Sequence, residues 1–99
     1  MPPKKPLPKS VALTPSQIRG ARGMLHWRRE DLARKAGTPT VTLRGFEVLG
    51  AESKPETIAK WRKALEAAGV EFIYPDEKGG PGVRLKITKT TRASFIGSN

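Results

Sequence analysis

Four residues near the middle of the chain carry the groups best suited to reading a base edge. Within six positions the sequence offers a hydroxyl, an apolar side chain, a guanidinium and a bare backbone, on Thr40, Val41, Arg44 and Gly45. Arginine can donate two parallel hydrogen bonds to guanine, threonine can bond a base edge or a phosphate, and valine can contact the methyl group of thymine. The alternative roles for Arg44 are a phosphate contact and an ion pair with a nearby acid.

The surrounding sequence predicts two short helices joined by a tight turn. REDLARKA at 29–36 forms the first helix, and Gly37 lies where that helix must end in left-handed backbone. TPT at 38–40 supplies the turn and the next helix start, with threonine hydroxyls expected to cap free N–H groups. Leu43 and Phe46 should face the interior, which leaves the four residues above outside. This layout is typical of a helix-turn-helix, whose second helix enters a DNA major groove.

The same stretch resembles the Cro/cI-type (XRE family) helix-turn-helix regulators of phage and bacteria. The similarity is carried by EDLA at 30–33, the turn residue Gly37, Leu43 six positions later, and the closing pair FE at 46–47, and it extends over residues 13–85. It implies a mainly α fold, a small lambda-repressor-like helix-turn-helix bundle. It also implies a sequence-specific regulator of transcription, repressor or activator, that binds a partly palindromic double-stranded DNA operator as a homodimer.

The resemblance further implies contacts to DNA phosphates. Arg29 lies where the family commonly has such a contact, and its N–H at a helix start favours an anion. The other predicted phosphate-binding residues of the bundle are Arg28, Thr38, Thr42, Ser53 and Lys54. Glu47 is expected to hold the bundle together through hydrogen bonds, because phosphate would repel its carboxylate.

Three features depart from the family pattern, and one of them is Pro39, which tightens the turn. Arg28 and Arg29 stand where a Ser or Thr cap followed by Gln is common, so the first helix of the pair is expected to lack a side-chain N-cap, at a cost of about 1 kcal/mol. Gly45 inside the second helix costs roughly another 1 kcal/mol relative to alanine. That cost is offset if a bare backbone is needed against DNA.

The positive charge of the chain is concentrated in its first half. Of a net charge of +10, residues 1–46 carry ten Lys and Arg against two acids, whereas residues 47–99 carry nine against seven. This asymmetry favours a phosphate-binding face over a merely solubilising surface or an anionic membrane surface.

Residues 1–12 form a basic, proline-rich arm predicted to follow the DNA backbone or minor groove, or else to be a solubilising tail. The arm's predicted phosphate contacts are Lys4, Lys5 and Lys9.

The composition argues against several other classes of protein. There is no cysteine and one histidine, His26, and no paired carboxylates or nucleophile-base arrangement, so we expect no enzyme, metal site or cofactor. No apolar run approaches the roughly 20 residues that span a bilayer, and no secretory signal is present, so a cytoplasmic location is expected. RNA binding is disfavoured because Trp27 and Trp61 are both predicted in the core.

The bundle is predicted to occupy residues 13–69. Its first helix should begin with Thr14 as N-cap and Pro15 as first helical residue. In the last helix, Ile58, Trp61 and Leu65 form a core stripe while Arg62 faces solvent.

A change to alternating apolar residues predicts a β-hairpin at 70–88, followed by a flexible tail at 89–99. We predict that the hairpin forms the homodimer interface, through Val70, Phe72, Tyr74, Val83, Leu85 and Ile87. The alternative is an intramolecular hairpin that covers the bundle. An alternative function on the same fold is a protein-interaction module, antitoxin-like or antiactivator-like, that holds a regulatory protein partner with its hairpin and tail.

Overall fold

The computed structural model describes residues 13–86, which form four helices followed by a two-stranded antiparallel sheet. The elements in chain order are α1 Pro15–Leu25, α2 Arg29–Ala36, α3 Thr40–Leu49, α4 Pro55–Ala67, β1 Val70–Ile73 and β2 Gly82–Leu85. The prediction of a mainly helical chain with a C-terminal hairpin is confirmed. Within residues 13–86 no helix is both long enough and apolar enough to cross a membrane. The arm, the tail and Ile87 lie outside the described residues.

Local chemistry fixes the ends of the first two helices. The Thr14 hydroxyl accepts a hydrogen bond from the Gln17 backbone N–H at 3.1 Å, and the Gln17 side chain accepts one from the Thr14 N–H at 2.8 Å. This reciprocal pair is a capping box, and Pro15 follows it as the first helical residue, as predicted. Helix α2 ends at Gly37, whose φ of 72° is the left-handed conformation expected there.

The start of α3 differs from the prediction. Its N-cap is Pro39, with no side-chain cap hydrogen bond. The prediction that threonine hydroxyls cap this helix is therefore wrong. The N-cap position is occupied by a proline, which has no hydroxyl, and the Thr38 hydroxyl before it accepts a hydrogen bond from Trp61 Nε1 at 2.8 Å.

Every helix and the hairpin contribute to a single core. Trp61 is the largest fully buried side chain among the described residues, and its ring lies 5.3 Å from that of Phe46, centroid to centroid. The buried apolar residues are Leu13, Ile18, Ala21, Leu32, Ala33, Leu43, Phe46, Ile58, Trp61, Leu65, Val70 and Phe72. The predicted core stripe of α4 is thereby confirmed.

The hairpin packs on the bundle of its own chain. Strand β1 pairs with β2 so that Val70 lies opposite Leu85 and Phe72 opposite Val83. The buried Gln17 side chain of α1 donates from Nε2 to the carbonyl oxygens of Ile73, at 3.2 Å, and of Gly82, at 3.0 Å. One amide group thus joins both strands to α1.

Helix α1 and strand β2 approach each other closely at Gly20. A Cβ atom added at Gly20 of α1 would lie 3.2 Å from Val83 Cγ2, tighter than an ordinary contact. Glycine at this position lets β2 approach the helix.

This packing corrects part of the predicted dimer surface. Val70 and Phe72 are 0% and 7% exposed inside their own chain, so a second copy cannot reach them unless the hairpin opens. Tyr74, Val83 and Leu85 are half-buried. Dimerisation of the chain stays a prediction.

Arg62 also differs from its prediction. It is 5% exposed, and its guanidinium lies over the rings of Phe72, at 5.1 Å, and Tyr74, at 5.5 Å. Arg62 Nη2 donates to the Tyr74 hydroxyl, and Nε lies 3.2 Å from a carboxylate oxygen of Glu66. The prediction that Arg62 faces solvent is wrong because the hairpin covers that side of α4.

Candidate nucleic-acid interface

Helix α3 separates its inward and outward residues as the sequence predicts. Leu43 and Phe46 are buried against the bundle, at 0% and 7% exposure. The predicted base-reading residues lie on the other side of the helix. Thr40, Val41 and Arg44 are exposed, and Gly45 is half-buried. The structure therefore places these four residues together on the accessible side of one short helix.

The side chain of Arg44 lies on an exposed position of α3. Among residues 13–86 no carboxylate lies within ion-pair distance of its guanidinium. The alternative role of an intramolecular ion pair thus finds no partner in the described part of the chain.

Beneath this face, the Glu47 carboxylate joins three helices. Arg22 of α1 bonds both of its oxygens, with Nη2 2.6 Å from Oε1 and Nε 2.8 Å from Oε2. Arg29, the first residue of α2, donates from Nε to Oε1 at 3.2 Å. The Glu47 side chain is fully buried, while those of Arg22 and Arg29 are 15% and 28% exposed. The prediction that Glu47 ties the bundle together is confirmed.

Two further hydrogen bonds extend this network. Arg22 Nη1 donates to the Trp27 carbonyl oxygen at 3.1 Å, and Arg19 Nη1 donates to the backbone carbonyl oxygen of Glu47. The roles of Arg19 and Arg22 were not predicted. No local pattern marks them, because Arg22 and Glu47 are 25 positions apart. Together, Arg19 and Arg22 hold α1, the α1–α2 connection and α3 in one relative orientation.

The start of α2 is capped from inside the helix. The Arg28 backbone N–H donates to Asp31 Oδ2 at 2.7 Å, and this bond, aided by the charges of Arg28 and Arg34, lowers the pKa of the Asp31 carboxyl. Arg28 itself gives no side-chain cap, as predicted. The ionised carboxylate of Asp31 therefore lies at the N-terminus of α2, the place that was predicted to favour an anion such as a DNA phosphate. Phosphate contacts here would depend on the guanidinium groups of Arg28, 75% exposed, and Arg29.

The remaining predicted phosphate-binding residues are placed at different depths. Thr38 and Thr42 are half-buried, and the Thr38 hydroxyl already serves Trp61. Ser53 is half-buried and Lys54 is exposed at the N-cap of α4. Their loop starts beside α3, because the Ala51 N–H donates to the Gly45 carbonyl oxygen at 3.0 Å. Three predicted contacts of the arm lie outside the described residues: Lys4, Lys5 and Lys9.

His26 occupies a backbone position at the end of α1. It is exposed, its φ is 57°, and its N–H donates to the Gly23 carbonyl oxygen at 3.2 Å. Within residues 13–86 no group of three or more His, Cys, Asp or Glu side chains is placed to hold a metal ion.

The fold does not require glycine at position 45. A Cβ atom there would lie 3.7 Å from the Ala51 Cβ atom, an ordinary contact distance. We expect Gly45→Ala to raise the free energy of unfolding by about 1 kcal/mol, since alanine costs less than glycine in a helix. Urea denaturation measures this change. Gly50→Ala is the control, and it should lower the free energy of unfolding. Gly50 has a φ of 67°, and alanine is about 1 kcal/mol less stable than glycine in this left-handed conformation. A loss of stability in Gly45→Ala would contradict the expectation.

Comparisons with known proteins do not assign this chain to a family. No protein-family model matches this sequence, and no curated protein is significantly similar to it. The resemblance to Cro/cI-type regulators therefore rests on the residues quoted for it, and membership of that family stays a hypothesis.

Proposed function

We propose that this protein is a sequence-specific double-stranded DNA-binding regulator of transcription, with α2 and α3 as its helix-turn-helix. The observation that carries the proposal is the outward face of α3, where Thr40, Val41 and Arg44 are exposed while Leu43 and Phe46 are buried. A helix that is anchored on one side and carries base-reading groups on the other meets the requirement for entering a major groove. The expected setting is the cytoplasm of a bacterium, where a bacterial or phage operator would lie.

The charges around α3 support binding to a polyanion. Arg28 and Lys54 are exposed on the segments before and after α3, and Arg44 lies on the helix itself. The one acid of α3, Glu47, has a fully buried side chain that is already neutralised by two arginines, so it adds no exposed negative charge. In this proposal the flanking cations bind phosphates and provide affinity, and the α3 face provides sequence discrimination.

The proposal includes a homodimer on a partly palindromic operator. Helix α3 has 10 residues and reaches only a few base pairs, so two copies on related half-sites would extend the sequence that is read. Any dimer surface must exclude Val70 and Phe72, which belong to the core of their own chain.

Selection from a random duplex pool tests the proposed function. The protein is incubated with the pool, bound DNA is amplified over several rounds, and the selected duplex is titrated against a scrambled duplex at two salt concentrations. Support would be a motif with two-fold symmetry bound at least roughly 10³-fold more tightly than scrambled DNA. Binding without an enriched motif, fading with salt for every sequence, would contradict it and favour the protein-interaction alternative.

Arg44→Ala should relax specificity at one base pair of each half-site. The loss is about 1–3 kcal/mol at that pair, the usual contribution of a bidentate arginine contact. Competition titrations with the selected duplex and its single-pair variants measure it. Lys54→Ala is the comparison variant, because removal of a phosphate contact should weaken selected and scrambled DNA alike. Equal weakening of all sequences by Arg44→Ala would remove this residue from base reading.

A further inference from the structure

The outward face of α3 is largely apolar. Val41, Val48 and Leu49 are 73%, 52% and 70% exposed, and they are three of the five large hydrophobic side chains that are exposed within residues 13–86. Successive helical residues are about 100° apart, which places Val41, Gly45 and Val48 along one line of the helix surface. Leu49 borders this line on one side and Arg44 on the other. We call Val41, Gly45, Val48 and Leu49 the apolar stripe.

Positive charge lies around the apolar stripe. Arg44 is exposed on the same helix, and Arg19, exposed on α1, bonds the Glu47 carbonyl oxygen near the C-terminal end of α3. Lys54 follows in the next loop, which also exposes the carboxylate of Glu52, so these three cations outnumber that acid. A second copy facing the stripe would bring the same cations together, whereas a polyanion would be attracted by all of them. Charge complementarity therefore selects DNA as the occupant of this apolar surface.

We propose that the apolar stripe recognises the methyl groups of thymines in the major groove, so that the half-site combines a thymine-containing run with one guanine contacted by Arg44. This inference rests on the proposed function. Valine and leucine side chains cannot read donors or acceptors, and the C5-methyl of thymine is the apolar group that the major groove offers. The half-site is thus read mainly by the presence and position of methyl groups.

Geometry limits the length of this run. Val41 and Val48 are seven residues apart, which corresponds to about 10 Å along a helix. Bases stack about 3.4 Å apart on each strand, so the stripe spans about three consecutive base pairs. Burying one methyl group strengthens binding by about fourfold, so three contacts together would contribute about 60-fold.

The test replaces thymine by deoxyuridine, which lacks only the methyl group. The duplex selected from the random pool is synthesised with one deoxyuridine at a time, and the dissociation constant of each duplex is measured with the full-length protein. We expect about fourfold weaker binding at each contacted thymine and unchanged binding at thymines outside the half-site. In a duplex carrying cytosine at a contacted position, 5-methylcytosine should recover part of the lost affinity, because it restores the methyl group at the same place in the groove.

Variants of the protein link the effect to the stripe. Val41→Ala should abolish the thymine-to-deoxyuridine difference at one position while retaining it at the others. Ile73→Ala removes a side chain that is 37% exposed on the hairpin and should leave every such difference unchanged. Circular dichroism of both variants checks that they remain folded.

The outcomes separate this inference from the proposed function. Specific binding that is insensitive to deoxyuridine at every thymine would overturn methyl recognition and leave the regulator intact. Absence of any selected duplex would overturn both. Self-association that is lost in Leu49→Ala, measured by sedimentation without DNA, would assign the stripe to a second copy and likewise overturn methyl recognition.

Discussion

Replacing Glu47 with alanine is expected to lower the free energy of unfolding by about 3 kcal/mol. The substitution removes the carboxylate that neutralises Arg22 and Arg29 and leaves two guanidinium groups side by side without their shared partner. Removing one member of a buried ion pair costs about 3–5 kcal/mol, and the lower end applies because both arginines are partly exposed. Urea denaturation at low ionic strength is the measurement.

Matched variants separate the charge of Glu47 from its shape. Glu47→Gln keeps the size and one acceptor but removes the charge, so its loss should be smaller than that of alanine. Glu52→Gln removes an exposed carboxylate from the following loop and should change stability by no more than about 0.5 kcal/mol. Pairing Glu47→Leu with Arg22→Met should recover part of the lost stability, because an apolar pair does not need neutralisation. A loss below about 1 kcal/mol in Glu47→Ala would contradict the assigned role.

The same variants bear on DNA binding. Glu47 is held away from solvent, and its bonds fix α1, α2 and α3 relative to one another. If α3 reads bases, a loosened carboxylate network should reduce the difference in affinity between selected and scrambled duplexes. A surface acid without this role, such as Glu52, should not have that effect.

Trp61→Ala is the second change with a large expected effect, a loss of about 4 kcal/mol. Trp61 is fully buried, is the largest such side chain among the described residues and packs against the Phe46 ring, so truncation leaves a large cavity. Domains of this size are stable by about 5–15 kcal/mol, so the variant should unfold at much lower urea concentration or be partly unfolded without urea. The midpoint of urea denaturation measures the change.

The hydrogen bond from Trp61 to Thr38 can be measured separately by a double-mutant cycle. Thr38→Val in the original chain leaves the indole N–H buried without its acceptor and should cost about 1–3 kcal/mol. In a Trp61→Phe background the same Thr38→Val change should cost close to nothing, because no N–H remains to be satisfied. Equal costs in both backgrounds would show that this bond does not stabilise the turn before α3.

Local rules explain why much of the fold could be predicted. Thr14, Pro15 and Gln17 lie within four positions and form a complete helix start by themselves. Gly37 ends α2 because glycine adopts the left-handed backbone conformation without a steric penalty. The spacing of Leu43 and Phe46 required them to share the buried side of α3, which in turn assigned Thr40, Val41 and Arg44 to the other side.

The predictions that were wrong depended on contacts between distant positions. Thr38 had the sequence of a helix cap, but a tryptophan 23 positions later uses its hydroxyl. Arg62 occupies a helical position that is typical of solvent exposure, but the hairpin lies over it. Val70 and Phe72 form an apolar strand face that either a second chain or the chain's own bundle could cover, and the bundle covers it.

By itself, the sequence determined the start of α1, the end of α2, the two periodicities, the excess of positive charge and the outward position of Thr40, Val41 and Arg44, because composition and neighbours within a few positions are enough for each of these. Only the tertiary structure decided that Arg22 and Arg29 share the Glu47 carboxylate, that Gln17 joins both strands from 56 and 65 positions away, and that the hairpin pairs within its own chain. The physical reason is that a buried polar group takes whichever partner the packed chain brings within hydrogen-bond distance, and separation along the sequence does not reveal that partner.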